Sequence, residues 1–143
     1  LFKLDEGIDT GPILGQVEVP VGDRTTATDL YRGINDAHGE LLEKVLPNIA
    51  TGTVDLVTQD ESLATIWPGR RPEDGAIDLS SSVVDAERLV RAVTHPYPGA
   101  FYFDQNGSKV IIWAAHISDN RPGVSYLKFQ DGYLSLADWE FAS

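Results

Sequence analysis

Two dipeptides near the end of the chain, Asn106-Gly107 and Asp131-Gly132, most constrain what it can fold into. Asn-Gly and Asp-Gly accept the left-handed backbone of a two-residue turn and join adjacent antiparallel strands. The first is flanked by β-favouring runs from Ala100 to Gln105 and from Ser108 to Ile117. The second lies between Ser125 to Gln130 and Tyr133 to Leu136. Two hairpins so close together predict a small all-β unit, a barrel or a sandwich.

The chain ahead of them reads differently. Ile13 to Val19 has the composition of a strand, with Gln16 and Glu18 interrupting its apolar residues. Thr26-Ala27-Thr28-Asp29 is a capping box, and behind it Leu30, Ile34, Ala37, Leu41 and Val45 recur on one helical face. Pro47 and Gly52 mark where that helix ends or begins to leave. A strand followed by a helix of this length is the building block of an α/β layer. Pro68 to Gly75 is dense in breakers and charge and reads as a surface linker. Ser82 is placed to cap a second helix carrying Ala86, Leu89, Val90 and Val93, and the His95-Pro96-Tyr97-Pro98-Gly99 run must end it. These signals predict an α/β segment over residues 1–52, a linker over 53–75 and a helix-plus-hairpins domain over 76–143.

Composition narrows the function. Apolar residues make up 42% of the chain, enough for a core, and no run is long enough to cross a bilayer. With no cysteine there is no disulfide, thiolate metal site or cysteine nucleophile. A formal net charge of −11 repels polyanions, so nucleic acid is not expected as a partner, while one or two arginines could still hold a small anion. The chain starts at Leu1 and contains no Met, which reads as an internal or C-terminal piece of something longer.

The densest polar constellation is Leu4-Asp5-Glu6-Gly7-Ile8-Asp9-Thr10-Gly11-Pro12. It is either a solvated acidic turn or a loop whose two glycines let backbone approach a ligand. Asp9, followed at once by a tight Thr-Gly turn, is the carboxylate best placed to be aimed. The Asp9-Thr10-Gly11 triplet resembles that of aspartic proteases, but Pro12 follows it and no second triplet exists. His38, His95 and His116 lack metal-ligand spacing, and only His95, at the Pro-rich turn, stands near a candidate site. Arg70-Arg71 is the single adjacent basic pair, either a solvated linker or a guanidinium clamp for a diphosphate.

Three segments together carry a family resemblance. Asp5 to Leu14 resembles the motif closing the folate-binding half of the formyltransferase fold, shared by methionyl-tRNA, glycinamide ribonucleotide and sugar N-formyltransferases. Arg71 to Asp78 resembles the lead into their C-terminal domain, although Leu79 stands where those enzymes often have Trp. Arg91 to Phe101 is similar to the sugar-nucleotide branch, including UDP-4-amino-4-deoxy-L-arabinose formyltransferase. The implied fold is the end of a Rossmann-like formyltransferase domain followed by a small OB-like β-barrel.

The resemblance implies a cytoplasmic enzyme that moves a formyl group from 10-formyltetrahydrofolate to the primary amine of a nucleotide-linked amino sugar, without a metal. It implies Asp9 as the catalytic aspartate, with an Asn and a His supplied from before Leu1, so that these 143 residues alone would be inactive. Asp5, Glu6, Gly7 and Ile8 would face the folate, and Arg70, Arg71, Tyr97 and Pro98 the acceptor. A homo-oligomer stays open. The rival readings are a methionyl-tRNA formyltransferase and a non-catalytic barrel used for oligomerisation.

Overall fold

The computed structural model describes residues 1–121, 123 and 125–142. Its contacts divide the chain into two units, residues 1–21 with 30–69, and residues 22–29 with 70–143. Among the described residues no helix is long and apolar enough to cross a membrane.

In the first unit one long helix dominates, α1 (Ala27–Thr51), whose first turn belongs with the second unit. Its capping box forms as the sequence expects: Thr26 Oγ1 accepts from Asp29 N, and Asp29 Oδ2 accepts from Thr26 N. Pro47 does not stop it, because a proline removes one N–H without forbidding helical φ. The helix ends at Gly52, which adopts φ 69°, and Thr53 N closes the end by donating to Asn48 O.

The strand expected over Ile13 to Val19 does not form. Only Ile13 is bridged, antiparallel to both Phe2 and Val57. Extended backbone becomes a strand only where a partner chain runs beside it; past Ile13 only Leu14 and Gly15 of the run are bonded to other backbone, at Leu1, and no bridge follows among the described residues. It is placed instead by side-chain packing on α1. A Cβ at Gly15 would sit 2.9 Å from Leu41 and Val45, and one at Gly33 would sit 2.9 Å from Val19.

In the second unit a four-stranded antiparallel sheet carries α2 (Val83–Val93) on one face. The strands are β1 (Ala100–Phe103), β2 (Lys109–Ser118), β3 (Tyr126–Lys128) and β4 (Tyr133–Phe141), in the spatial order β1-β2-β4-β3. The sheet is an antiparallel half-barrel, the coarse form of the small OB-like β-barrel domain expected from sequence. The strand β4 inserts between β2 and β3, so β1 and β3 lie at opposite edges, and Ala76 covers part of the β1 edge through a parallel bridge to Phe101.

Both hairpins form at the dipeptides that announce them. Gly107 has φ 80°, and Asp104 Oδ1 accepts from Asn106 N and Ser108 N across the first turn. In the second, Phe129 N donates to Gly132 O, while the Asp131 carboxylate accepts from Val83 N and so caps the start of α2. Ser82 Oγ accepts from Asp85 N at the same end. Val83, Ala86 and Val90 of α2 meet Ala100, Ile112, Leu134 and Leu136 in the core. Opposite β4, the β2 register slips around Trp113, an irregularity that leaves this residue without a Cα partner.

Candidate functional site

The acidic loop is built by its own side chains. Asp5 Oδ1 accepts from Gly7 N at 3.0 Å and from Thr10 Oγ1 at 2.7 Å, folding residues 5–10 into a closed turn. Asp9 sits in the left-handed region at φ 58°, the one non-glycine residue so placed among those described. That conformation costs a non-glycine residue about 1–2 kcal/mol, least for Asn and Asp, and must be held from outside. The hold is Gln59, whose Nε2 donates to Asp9 O at 2.8 Å and to Gly11 O at 2.6 Å. Gly11 itself is buried with its Cα against Lys3 O, where a Cβ would come within 1.6 Å. The carboxylate of Asp9 has no partner among the described residues, whereas that of Asp5 is committed to the loop.

Asp5, Glu6, Gly7, Ile8 and Asp9 are thus brought together on one exposed loop, with Ile8 almost fully exposed. A pterin ring needs in-plane donors and acceptors beside an apolar surface. The loop has exposed backbone and Ile8 to offer, but Asp5 Oδ1 and Gly7 N already bond to each other. Among the described residues no group of three or more His, Asp or Glu is placed to hold a metal.

Within the second unit the other candidates surround a cavity of about 610 Å³. Its apolar floor is Leu89, Ala92 and Val93 of α2. One wall is the 3₁₀ turn Pro72–Gly75 with Arg70 and Arg71 leading into it, and the other is Tyr97-Pro98-Gly99. Asp74 Oδ2 accepts from Arg71 N at 2.7 Å and lies 3.6 Å from Arg70 Nε, so the turn fixes both arginines at the rim. Arg71's guanidinium pairs with no carboxylate among the described residues. The walls meet where only glycine fits: a Cβ at Gly75 would lie 2.9 Å from Gly99 O.

The Pro-rich turn is braced on three sides. The His95–Pro96 peptide is cis, and the His95 ring stacks on Trp113 at 4.0 Å between centroids and 12° between planes. His95 O accepts from Thr28 Oγ1, and Gly99 N donates to Val93 O. On α2, Glu87 is buried and held by Arg91 Nε at 2.9 and 3.0 Å and by Arg24 Nη1 at 2.6 Å. Arg91 Nη1 also donates to Thr25 O, which fastens residues 22–29 to α2.

Of the other histidines, His38 lines a smaller cleft of about 250 Å³ in the first unit, and His116 is exposed on β2. Neither Gln59 nor the buried Glu87 is signalled by sequence pattern. Gln59 lies among residues without a dominant period, and Glu87 has the i, i+4 spacing to Arg91 of an ordinary surface pair.

Comparison with known proteins adds a domain match. Residues 70–135 match the family described as formyl transferase, C-terminal domain. A 4-N formyltransferase from Francisella tularensis is 28% identical at a TM-score of 0.67, over 76% of this chain and 46% of that one. A methionyl-tRNA formyltransferase from Clostridium thermocellum is 19% identical at a TM-score of 0.67, over 99% of this chain and 54% of that one. HypX from Aquifex aeolicus, in complex with tetrahydrofolic acid, is 18% identical at a TM-score of 0.76, over 99% of this chain and 27% of that one. The chain therefore spans between about a quarter and about half the length of these proteins. Over residues 70–135 its fold is that of the formyl transferase C-terminal domain.

Proposed function

We propose that this chain is part of a folate-dependent formyltransferase whose acceptor is the primary amine of a nucleotide-linked amino sugar. The observation that carries the reading is the match of residues 70–135 to the formyl transferase C-terminal domain, on a chain that also carries Asp9 in a left-handed backbone conformation on an exposed loop. Support for a sugar acceptor comes from the higher identity to the 4-N formyltransferase and from the net charge of −11, which opposes a tRNA partner.

In this reading the neutral amine attacks the formyl carbon of 10-formyltetrahydrofolate. A new C–N bond forms, the bond from the formyl carbon to N10 breaks, and the proton lost by the amine returns to N10. A His and an Asn from outside these 143 residues act as base and as donor to the oxyanion. Asp9 orients that His and stabilises its positive charge, while Asp5 to Ile8 flank the folate. Arg70 and Arg71 face the diphosphate of the acceptor, and Tyr97 and Pro98 close over its apolar portion.

The test is formyl transfer by the full-length protein, with 10-formyltetrahydrofolate and a panel of nucleotide-linked 3-amino and 4-amino sugars. One sugar should turn over, and Asp9→Asn should lower kcat by about 10²-fold or more, the range for loss of acid–base assistance. Formylation of methionyl-tRNA in place of every sugar would move the protein to the tRNA branch, and silence on both would leave a binding module.

A further inference from the structure

We infer that Gln59 is the positioning residue for Asp9, an assignment that rests on the catalytic role proposed above. The argument starts from register. Ile13 and Val57 form an antiparallel bridge that exchanges both bonds, Ile13 N to Val57 O at 2.8 Å and Val57 N to Ile13 O at 3.0 Å. Two residues out along each chain, the same antiparallel register sets Gln59 beside Gly11. Beyond it the backbone leaves in the 3₁₀ turn Glu61–Leu63, capped by Asp60 Oδ1, which accepts from Ser62 N and Ser62 Oγ. Those two bonds, the side-chain one foremost, hold the Asp60 carboxyl below the usual carboxylate range. Gln59 is therefore pinned from both directions before its side chain is considered.

The chemistry of its contacts is specific. Asp9 O and Gly11 O, the carbonyls either side of Thr10, both point at one spot. Two acceptors converging there require a group with two N–H donors, and a primary amide supplies them. The same requirement fixes which end of the Gln59 amide is nitrogen. Glutamate has the same length but places acceptors against acceptors, and asparagine falls short by one methylene. By clamping residue 9 through its own carbonyl, Gln59 holds the φ of 58° and so decides where the Asp9 carboxylate points.

A residue that acts only through Asp9 should have no effect once Asp9 is disabled. In the full-length protein Gln59→Glu should lower kcat about tenfold or more, with a smaller change in the KM of the acceptor. Added to Asp9→Asn it should cause no further loss, the non-additivity of groups that act as a unit. Gln59→Asn should not rescue. Losses that add in the double variant, or an unchanged kcat in Gln59→Glu, would overturn the assignment. A direct readout separates its failure from failure of the catalytic reading: backbone NMR shifts of Asp9, Thr10 and Gly11 in Gln59→Glu, with the amides of α2 as an internal standard of folding. Displaced loop shifts with α2 unmoved are expected even if no acceptor is ever formylated. Loop shifts identical to wild type overturn the proposal whatever the turnover.

Discussion

At the residue scale, single positions without a choice of side chain shape both candidate regions. Gly99 has φ 85°, and a Cβ there would lie 2.5 Å from Ile111 Cγ2 and 2.9 Å from the Trp113 ring. Trp113 cannot retreat, because His95 stacks on it and Glu140 accepts from its indole nitrogen at 3.2 Å. Gly99→Ala therefore combines left-handed strain with overpacking and should cost about 3 kcal/mol in urea unfolding. Tyr102, beside the core, carries a different signal. Burial, and then the nearby Asp104 carboxylate, raise its phenol above the ordinary value. A folded pKa above the unfolded one contributes stability that is complete below about pH 10 and lost as pH rises through the folded value. Urea midpoints of wild type should then fall in the alkaline range more steeply than those of Tyr102→Phe. The sequence pointed to Asp9 because a carboxylate before Thr-Gly is a local pattern. It could not show Gln59, whose meaning depends on a bridge between residues 13 and 57 far apart in the chain.

At the element scale, local chemistry was legible wherever the signal and its consequence lay within a few residues. The capping box of α1, the Ser82 cap of α2 and both glycine turns all formed where expected. What failed was the strand over Ile13 to Val19, since alternation describes a strand's faces and not its neighbours. The spatial order of the strands was equally invisible, for it depends on which strands pair. Another long-range product is the clamp on α2, where Glu87 draws Arg91 and Arg24 together across residues far apart in sequence. Here exposure ranks the partners. The Glu87 side chain is 3% exposed and that of Arg91 17%, whereas that of Arg24 is 63%. Glu87→Ala leaves Arg91 half-stranded in a dry setting and should destabilise by about 3 kcal/mol, the low end for breaking a buried pair. Arg24→Ala removes a solvated partner and should cost under about 1 kcal/mol. Chemical denaturation of the two variants tests the order, and equal losses would mean that Arg24 rather than Arg91 neutralises Glu87.

At the scale of the whole molecule, burial is shared unevenly between the two units. The core cluster of α2 and the sheet lies entirely in the second, where Ile112, Leu134, Val90 and Val110 are wholly enclosed. In the first, Leu41 and Val45 are the large apolar residues that reach full burial among those described, while Leu4, Ile8, Leu63, Ile66 and Trp67 are mostly solvent-exposed. Stability follows buried apolar area, and opening free energies follow the density of buried contacts. The two units should therefore not unfold together. Hydrogen exchange of the 143-residue chain should protect the amides of α2, β2 and β4 to the level of the global transition. The amides of α1 beyond Leu30 should exchange by a separate, lower-energy opening, and urea should resolve two transitions by fluorescence and circular dichroism. A single transition with α1 as protected as β2 would show that the first unit draws stability from contacts its own apolar residues do not supply. The separate opening, in contrast, would place the Asp9 loop on the less stable of the two units, where Gln59 and the Ile13–Val57 bridge are what hold its geometry.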